Sequence, residues 1–307
     1  MEQRELVIVG GGPAGLTAGL YAARAKLDVV LLESLSPGGQ VLTTDMIENW
    51  PGDVDGVSGF DLADRMRDHA LKFGLEIRSA EVTKLEDKGD VKIISTPKEE
   101  IKAKTVVLCP GARPRQLGIP GEEELTGKGV SYCGTCDGPF YKNATIAAIG
   151  GGNTAVEEAV FLTKFADKVY LLHRRDELRA RGVLADRVLE NDKIEVLWSH
   201  QPLKVQGGDQ GVQSLLIKNL KDGSERELKV DGAFVFVGTI PNTEFLKDAV
   251  DMTSGGFIKV DARQKTSIPG VFAAGDCCDK LLRQVVVAAG EGATAAYAAQ
   301  RYLEDHS

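Results

Sequence analysis

Six residues carry the clearest chemistry in the chain: Cys133-Gly134-Thr135-Cys136-Asp137-Gly138. Two thiols two residues apart can close a small disulfide ring, and a carboxylate follows at once. If the second cysteine opens a helix, the dipole and free amides there lower its pKa and favour the nucleophilic thiolate. The same spacing also serves as half of a zinc site, which needs two further ligands. The remaining candidates, Cys109, Cys277 and Cys278 with His69, His173, His200 and His306, are scattered, so no metal centre is expected. Spacing alone leaves both readings open and leans to redox chemistry.

Glycine-rich loops lie on either side of the cysteine pair. Apolar Leu6-Val7-Ile8-Val9 predicts a buried parallel strand. Gly10, Gly12 and Gly15 follow in Gly-x-Gly-x-x-Gly spacing, with Pro13 and Ala14 between, and then the helical pattern Leu16 to Ala25. A second strand, Val29-Val30-Leu31-Leu32, ends at Glu33. This is a dinucleotide fingerprint with its context intact. Glycines permit the tight turn and close pyrophosphate approach, and an acid at Glu33 suits a ribose 2′-OH.

The pattern recurs 140 residues later. Ile146 to Ile149 reads as a strand, and Gly150, Gly152, Asn153, Thr154 and Ala155 form a second fingerprint. A helix over Val156 to Lys164 and a strand over Val169 to Leu172 follow. The register partner of Glu33 is His173, with Arg174, Arg175 and Arg179 beyond it. A carboxylate would repel a 2′-phosphate, whereas arginines grip one through charge-assisted bonds. The first site therefore suits a dinucleotide with a free 2′-OH and the second NADP(H). The alternative is a solvated mixed-charge face.

Between these units, Ser58-Gly59-Phe60-Asp61 predicts a capping box opening a helix to about Phe73, with Leu62, Met66, Ala70 and Phe73 on one face. Stretches near Glu76–Leu85 and Val91–Ser95 suggest a small antiparallel layer. Thr105 to Cys109 reads as a buried strand, and Pro110 to Pro114 as a crossover. Val212–Asn219 and Arg226–Val230 flank Asp222-Gly223 as a hairpin. Ala233 to Val237 is a strand, and Gly238 to Thr243 leads back. Val271 to Asp276 is a strand with an aspartate at its tip, and a long Ala-rich helix spans Arg283 to Leu303.

Bulk composition bounds the rest. The 307 residues exceed one average domain, and 43% hydrophobic with 27% charged residues is ordinary globular composition. A net charge of −8 without long basic runs disfavours nucleic acid and anionic membranes. No apolar run reaches membrane-spanning length. Five cysteines do not form a secreted disulfide framework, and the first residues enter a strand without a signal-peptide core, so a cytoplasmic setting is expected.

Taken together, these motifs resemble the low-molecular-weight, bacterial-type thioredoxin reductases of the pyridine nucleotide-disulfide oxidoreductase family. The resemblance covers essentially the whole chain. It rests on residues 10–15, Glu48-Asn49-Trp50-Pro51-Gly52, residues 133–138 and 150–155, His173-Arg174-Arg175 with Arg179, Gly275-Asp276, and Arg283-Gln284. It implies an α/β protein of two Rossmann-like domains of three-layer ββα type. An NADPH domain over 114–241, carrying the cysteine pair, would be inserted into a discontinuous FAD domain over 1–113 and 242–307. FAD would lie on the first fingerprint, with Gly39, Gln40, Asn49 and Gly111 nearby. Asp276 would face its ribityl chain, and Arg283, Gln284 and Val285 would lie near the flavin. The implied route runs from NADPH through FAD to the Cys133–Cys136 disulfide and on to thioredoxin. Cys136 would face the flavin, Cys133 would attack the partner, and Asp137 would handle the thiol protons or merely cap a helix. The family is homodimeric, with domains that rotate relative to each other. A flavin dithiol oxidase, or a reductase of a peroxiredoxin system or another thioredoxin-like partner, is the runner-up. Three departures stand out: Gly134 between the cysteines, Pro139 in the loop beyond them, and adjacent Cys277-Cys278.

Overall fold

A computed structural model describes residues 2–44, 46–246 and 249–306. The chain divides into two compact units, Met1–Arg113 with Ile240–Ser307, and Pro114–Thr239. The return crossing falls at Thr239–Ile240, two residues before the boundary read from the sequence.

In chain order the first segment contains β1 (Glu2–Val9), α1 (Pro13–Arg24), β2 (Val29–Glu33), α2 (Gly59–Lys72), β3 (Glu76–Ser79), β4 (Lys84–Asp87), β5 (Lys92–Ser95), β6 (Glu100–Leu108) and β7 (Ala112–Pro114). The second unit contains β8 (Val130–Ser131), α3 (Gly134–Asp137), β9 (Thr145–Ile149), α4 (Asn153–Leu162), β10 (Lys168–His173) and α5 (Val183–Leu189). It continues with β11 (Ile194–Trp198), β12 (His200–Gly208), β13 (Gly211–Asn219), β14 (Glu225–Lys229) and β15 (Gly232–Val235). The chain returns through β16 (Thr239–Pro241), β17 (Val271–Ala273) and α6 (Val285–Asp305).

The first unit is built on a seven-stranded sheet ordered β3-β2-β1-β6-β5-β4, with β17 also pairing β6. Alternation sorts its strands between two cores. Leu6, Ile8, Val29 and Leu31 face α1 and α6, whereas Val7, Val9, Val30 and Leu32 face the opposite core with Leu85, Ile94 and Cys277. Burial on both faces explains why these strands read as unbroken apolar runs. Strand β6 is shared: Glu100–Ala103 pairs antiparallel with β5, and Val106–Leu108 pairs parallel with β17.

Helix α2 begins as its sequence requires. The Ser58 hydroxyl accepts from the Asp61 amide at 3.0 Å, and the helix ends at Lys72 with Phe73 as its cap. The small antiparallel layer is smaller than the alternation suggested. β4 and β5 are antiparallel, but β3 pairs parallel with β2 at the sheet edge. Helix α2 returns the chain across one face, so the next strand enters in the same direction as β2, as a crossover requires.

The second unit repeats the plan. Its parallel five-stranded sheet is ordered β11-β10-β9-β15-β8. Helices α4 and α5 cover one face through Val156, Ala159, Leu162 and Val188. The antiparallel sheet β12-β13-β14 covers the other through Val205, Leu215, Ile217 and Leu228.

Candidate active site

The redox turn is built on the end of β8. Cys133 and Cys136 form a disulfide with their Cα atoms 5.3 Å apart. The first cysteine, rather than the second, starts α3: Cys133 is the N-cap, and its Sγ accepts from the Cys136 amide at 3.1 Å. The turn is short, so the backbone of the second thiol is already aimed at the first. A donor to sulfur favours charge on Cys133 once the bond is reduced. Asp137 closes α3, and its carboxylate accepts from the Ser131 hydroxyl at 2.5 Å. The same hydroxyl accepts from the Cys133 amide at 3.1 Å. Asp137 stands at the N-cap position of the 3₁₀ turn that follows, without a side-chain cap hydrogen bond. Ser131 was missed in the sequence, although its place two residues before Cys133 at a strand end was visible.

The departures acquire physical reasons. A Cβ on Gly134 would overlap the carboxylate of Glu158 from α4, so glycine makes room for it. That carboxylate has one buried oxygen without a partner, and burial, with Glu157 beside it, pushes its pKa up. Pro139 opens a 3₁₀ turn over Gly138–Tyr141 that leaves Phe140 exposed and sets Tyr141 edge-on to Phe234. Cys277 and Cys278 are buried free thiols with Sγ atoms 3.9 Å apart, and Cys109 is buried as well. Burial holds the Cys109 thiol well above its ordinary pKa. Among the described residues no cluster of three or more histidine, cysteine or acidic side chains could hold a metal ion.

The two glycine loops are built alike. Gly10 has φ +99°, and a side chain there would overlap the Cys109 carbonyl. A Cβ on Gly15 would overlap the Gly10 carbonyl. The Gly11 amide donates to Glu33 at 2.5 Å, and the Gly38 amide donates to the Gly11 carbonyl at 2.8 Å. Gly39 lies against Gly12, and Gln40 follows in a 3₁₀ turn. In the second loop, Gly150 takes a positive φ and His173 lies against Gly151, as Glu33 lies against Gly11. The Arg179 amide donates to the Gly151 carbonyl at 2.8 Å, matching the Gly38 bond. The register of the sequence is thus a register in space. Helices α1 and α4 begin at Gly12 and Gly152 without side-chain caps, leaving first-turn amides for an anion. Pro13 and Ala14 open α1, Asn153 and Thr154 open α4, and Ala155 is buried at its third small position.

Around the second loop, Arg174, Arg175 and Arg179 are exposed, and none makes an ion pair among the described residues. His173 is buried, its Nε2 lacks a partner, and burial reinforced by the three arginines lowers its pKa. Around the first loop, Gly275 at the tip of β17 abuts Ala14, and Gly292 of α6 lies against the Ala14 carbonyl. The Asn49 side-chain amide donates to the Gln284 side-chain oxygen at 3.0 Å. Gln284 caps α6, and Val285 is its first residue. Arg283 stacks its guanidinium 4.4 Å over Phe257 and leaves its buried Nε unpaired. Asp276 is half-buried, and its desolvation pushes the carboxyl pKa up against the pull of Lys280 and Arg283. Gly111, with φ +70°, receives the Asn242 amide at 3.0 Å. One further element escaped sequence reasoning: the Glu291 carboxylate accepts from the Gly275 amide at 2.9 Å and pairs closely with Lys280.

A model of pyridine nucleotide-disulphide oxidoreductases matches residues 4–292. The chain belongs to that family. It is 41% identical over 301 residues to the thioredoxin reductase of Listeria innocua, covering 98% of this chain and 94% of the relative. A crystal structure of thioredoxin reductase from Streptococcus pyogenes is 44% identical, with a TM-score of 0.95 and 99% of each chain covered. A thioredoxin reductase structure from Giardia duodenalis is 37% identical, with a TM-score of 0.94, covering 99% of this chain and 100% of that one. Thioredoxin reductases of this family use FAD and NADPH. The residues present fit both: uncapped helix starts behind glycine loops, and unpaired buried atoms on Arg283 and His173 that a ligand would satisfy. No helix among the described residues is long and apolar enough to cross a membrane.

Proposed function

We propose that this chain is an NADPH-dependent, FAD-containing thioredoxin reductase. The observation that carries the reading is the half-buried Cys133–Cys136 disulfide, with an adjacent carboxylate, in a family whose relatives bear that name. The unit over Pro114–Thr239 is the NADPH-binding domain, and the segments before and after it form the FAD-binding domain. In the first site Glu33 orders the loop through Gly11 and takes a ribose hydroxyl, while Asp276, Arg283, Gln284 and Asn49 hold the rest of the cofactor. In the second, Arg174, Arg175 and Arg179 bind the 2′-phosphate, and His173 offers its free Nε2.

When bound, the cofactors supply hydride acceptance and an electron pair for the disulfide. Reduction of Cys133–Cys136 takes two electrons and two protons and yields a dithiol. The Cys136 amide then stabilises the Cys133 thiolate, which attacks the partner disulfide. Cys136 displaces the mixed disulfide, closing the ring and releasing the partner dithiol, so the balance is two electrons and two protons. Asp137, held by Ser131, takes and returns a thiol proton. We place the enzyme in the cytoplasm as a homodimer, by analogy with the family.

An anaerobic NADPH titration, followed by the flavin spectrum, tests the reading. Uptake of a second electron pair beyond the flavin's own, lost in Cys136→Ser, is the expected result. Uptake of the flavin pair alone would refute it.

A further inference from the structure

The arginine-bearing loop after β10 is exposed, and an exposed loop pays an ordering cost when it binds a ligand. Here it is held from beneath. Ser199, between β11 and β12, is 5% exposed and adopts a left-handed φ of +55°. Its amide donates to the Arg175 carbonyl at 3.1 Å, and its hydroxyl donates to the Asp176 carboxylate. Its carbonyl is fixed in turn by the Leu220 amide at 2.7 Å. Lys221, in the turn between β13 and β14, places Nζ 3.1 Å from the same Asp176 carboxylate. Trp198 stands edge-on to His173. Two separate segments, the β11–β12 junction and the β13–β14 turn, thus converge on the two residues that follow Arg174.

We propose that Asp176, Ser199 and Lys221 form a clamp that sets the preference for a 2′-phosphorylated nucleotide. Ser199 fixes the backbone on which Arg174 and Arg175 stand, and Lys221 cancels a carboxylate that would otherwise repel the phosphate. These three are positioning residues, acting through the arginines. The inference rests on the proposed role of the His173–Arg179 segment. The Ser199 hydroxyl first, and then Lys221, hold the Asp176 pKa below the ordinary carboxylate value, so its charge persists and must be offset. Without Lys221 the uncancelled charge stands next to the incoming dianion.

Isothermal titration of the purified holoenzyme with 2′,5′-ADP and with 5′-AMP reads the clamp directly. Lys221→Met should weaken 2′,5′-ADP by about two- to fivefold, as an exposed charge does, with 5′-AMP unchanged. Adding Asp176→Asn to Lys221→Met should recover part of the lost affinity, because the repelling charge is gone while the amide oxygen still accepts from the Ser199 hydroxyl. Ser199→Ala should weaken 2′,5′-ADP by roughly tenfold, through loss of a charge-assisted bond, again sparing 5′-AMP. A general loss of structure would weaken both probes together, and that result would overturn the clamp. So would an unchanged ratio in Lys221→Met, or a double variant no better than the single. If the wild type itself does not prefer 2′,5′-ADP, the underlying phosphate assignment fails instead.

Discussion

Glu291→Ala should cost more than any surface change in the first unit. The carboxylate is 18% exposed, and its partner Lys280 is 7% exposed. It also accepts the Gly275 amide, so one oxygen pins both ends of the segment that presents Asp276. Removing it strands an almost buried ammonium and a backbone N–H at once. Breaking a fully buried pair costs about 3–5 kcal/mol. The residual exposure of Glu291, and the pull of Lys280 toward Asp276, place this case near the low end, about 3 kcal/mol. A unit of this size loses about 2–4 °C in Tm per kcal/mol, so a fall of roughly 6–12 °C is expected. Circular-dichroism melting of the FAD-stripped protein at pH 7 measures it. Lys280→Met with Glu291→Leu should recover most of the loss, since no ammonium is stranded and only the Gly275 N–H is left without its acceptor. A fall under about 2 °C for Glu291→Ala, or a double variant as unstable as the single, would refute the reasoning.

Asp276 gives a pH signature. Its folded pKa lies above the unfolded value of about 3.9. Below that value both states keep the proton. Above it the unfolded chain ionises more readily, so this residue costs stability as pH rises through its folded pKa. Asp276→Asn should therefore melt higher than wild type at pH 7 in the apoprotein, show no gain near pH 3.5, and bind FAD less tightly; an unchanged melt at pH 7 would count against the burial. Gly15→Ala forces a methyl onto the Gly10 carbonyl and should yield protein lacking flavin absorbance; full flavin content would show that the loop can yield. Arg175→Ala removes a charge-assisted phosphate contact of about 1.5–3 kcal/mol, or roughly ten- to a hundredfold in NADPH affinity, with NADH little affected. Equal loss for both nucleotides would remove the 2′-phosphate role. Cys133→Ser should abolish thioredoxin reduction, measured by thiol release, while NADPH still bleaches the flavin. If bleaching also stops, the division of labour between the two cysteines is wrong.

Much of this protein is legible in consecutive residues. The glycine loops, with their strand, helix and terminal residue, depend on local turn geometry, and local geometry is set by neighbours in the chain. The same holds for the Ser58 capping box, the hairpin around Asp222-Gly223 and the Cys133–Cys136 ring. The 140-residue offset even placed His173 against Gly151 as Glu33 stands against Gly11. What escaped depends on residues far apart in the chain. The direction of β3 followed from which face α2 crosses, not from its own alternation. Glu158 came to rest against Gly134 because α4 packs on the redox turn. Lys280 met Glu291 because the loop after β17 folds against α6, and Asp176 met Ser199 and Lys221 because the ends of β10, β11 and β13 pack together. Periodicity says which face of an element is buried. It says nothing of which polar group on another element will stand opposite, and that pairing is decided only when the sheets close.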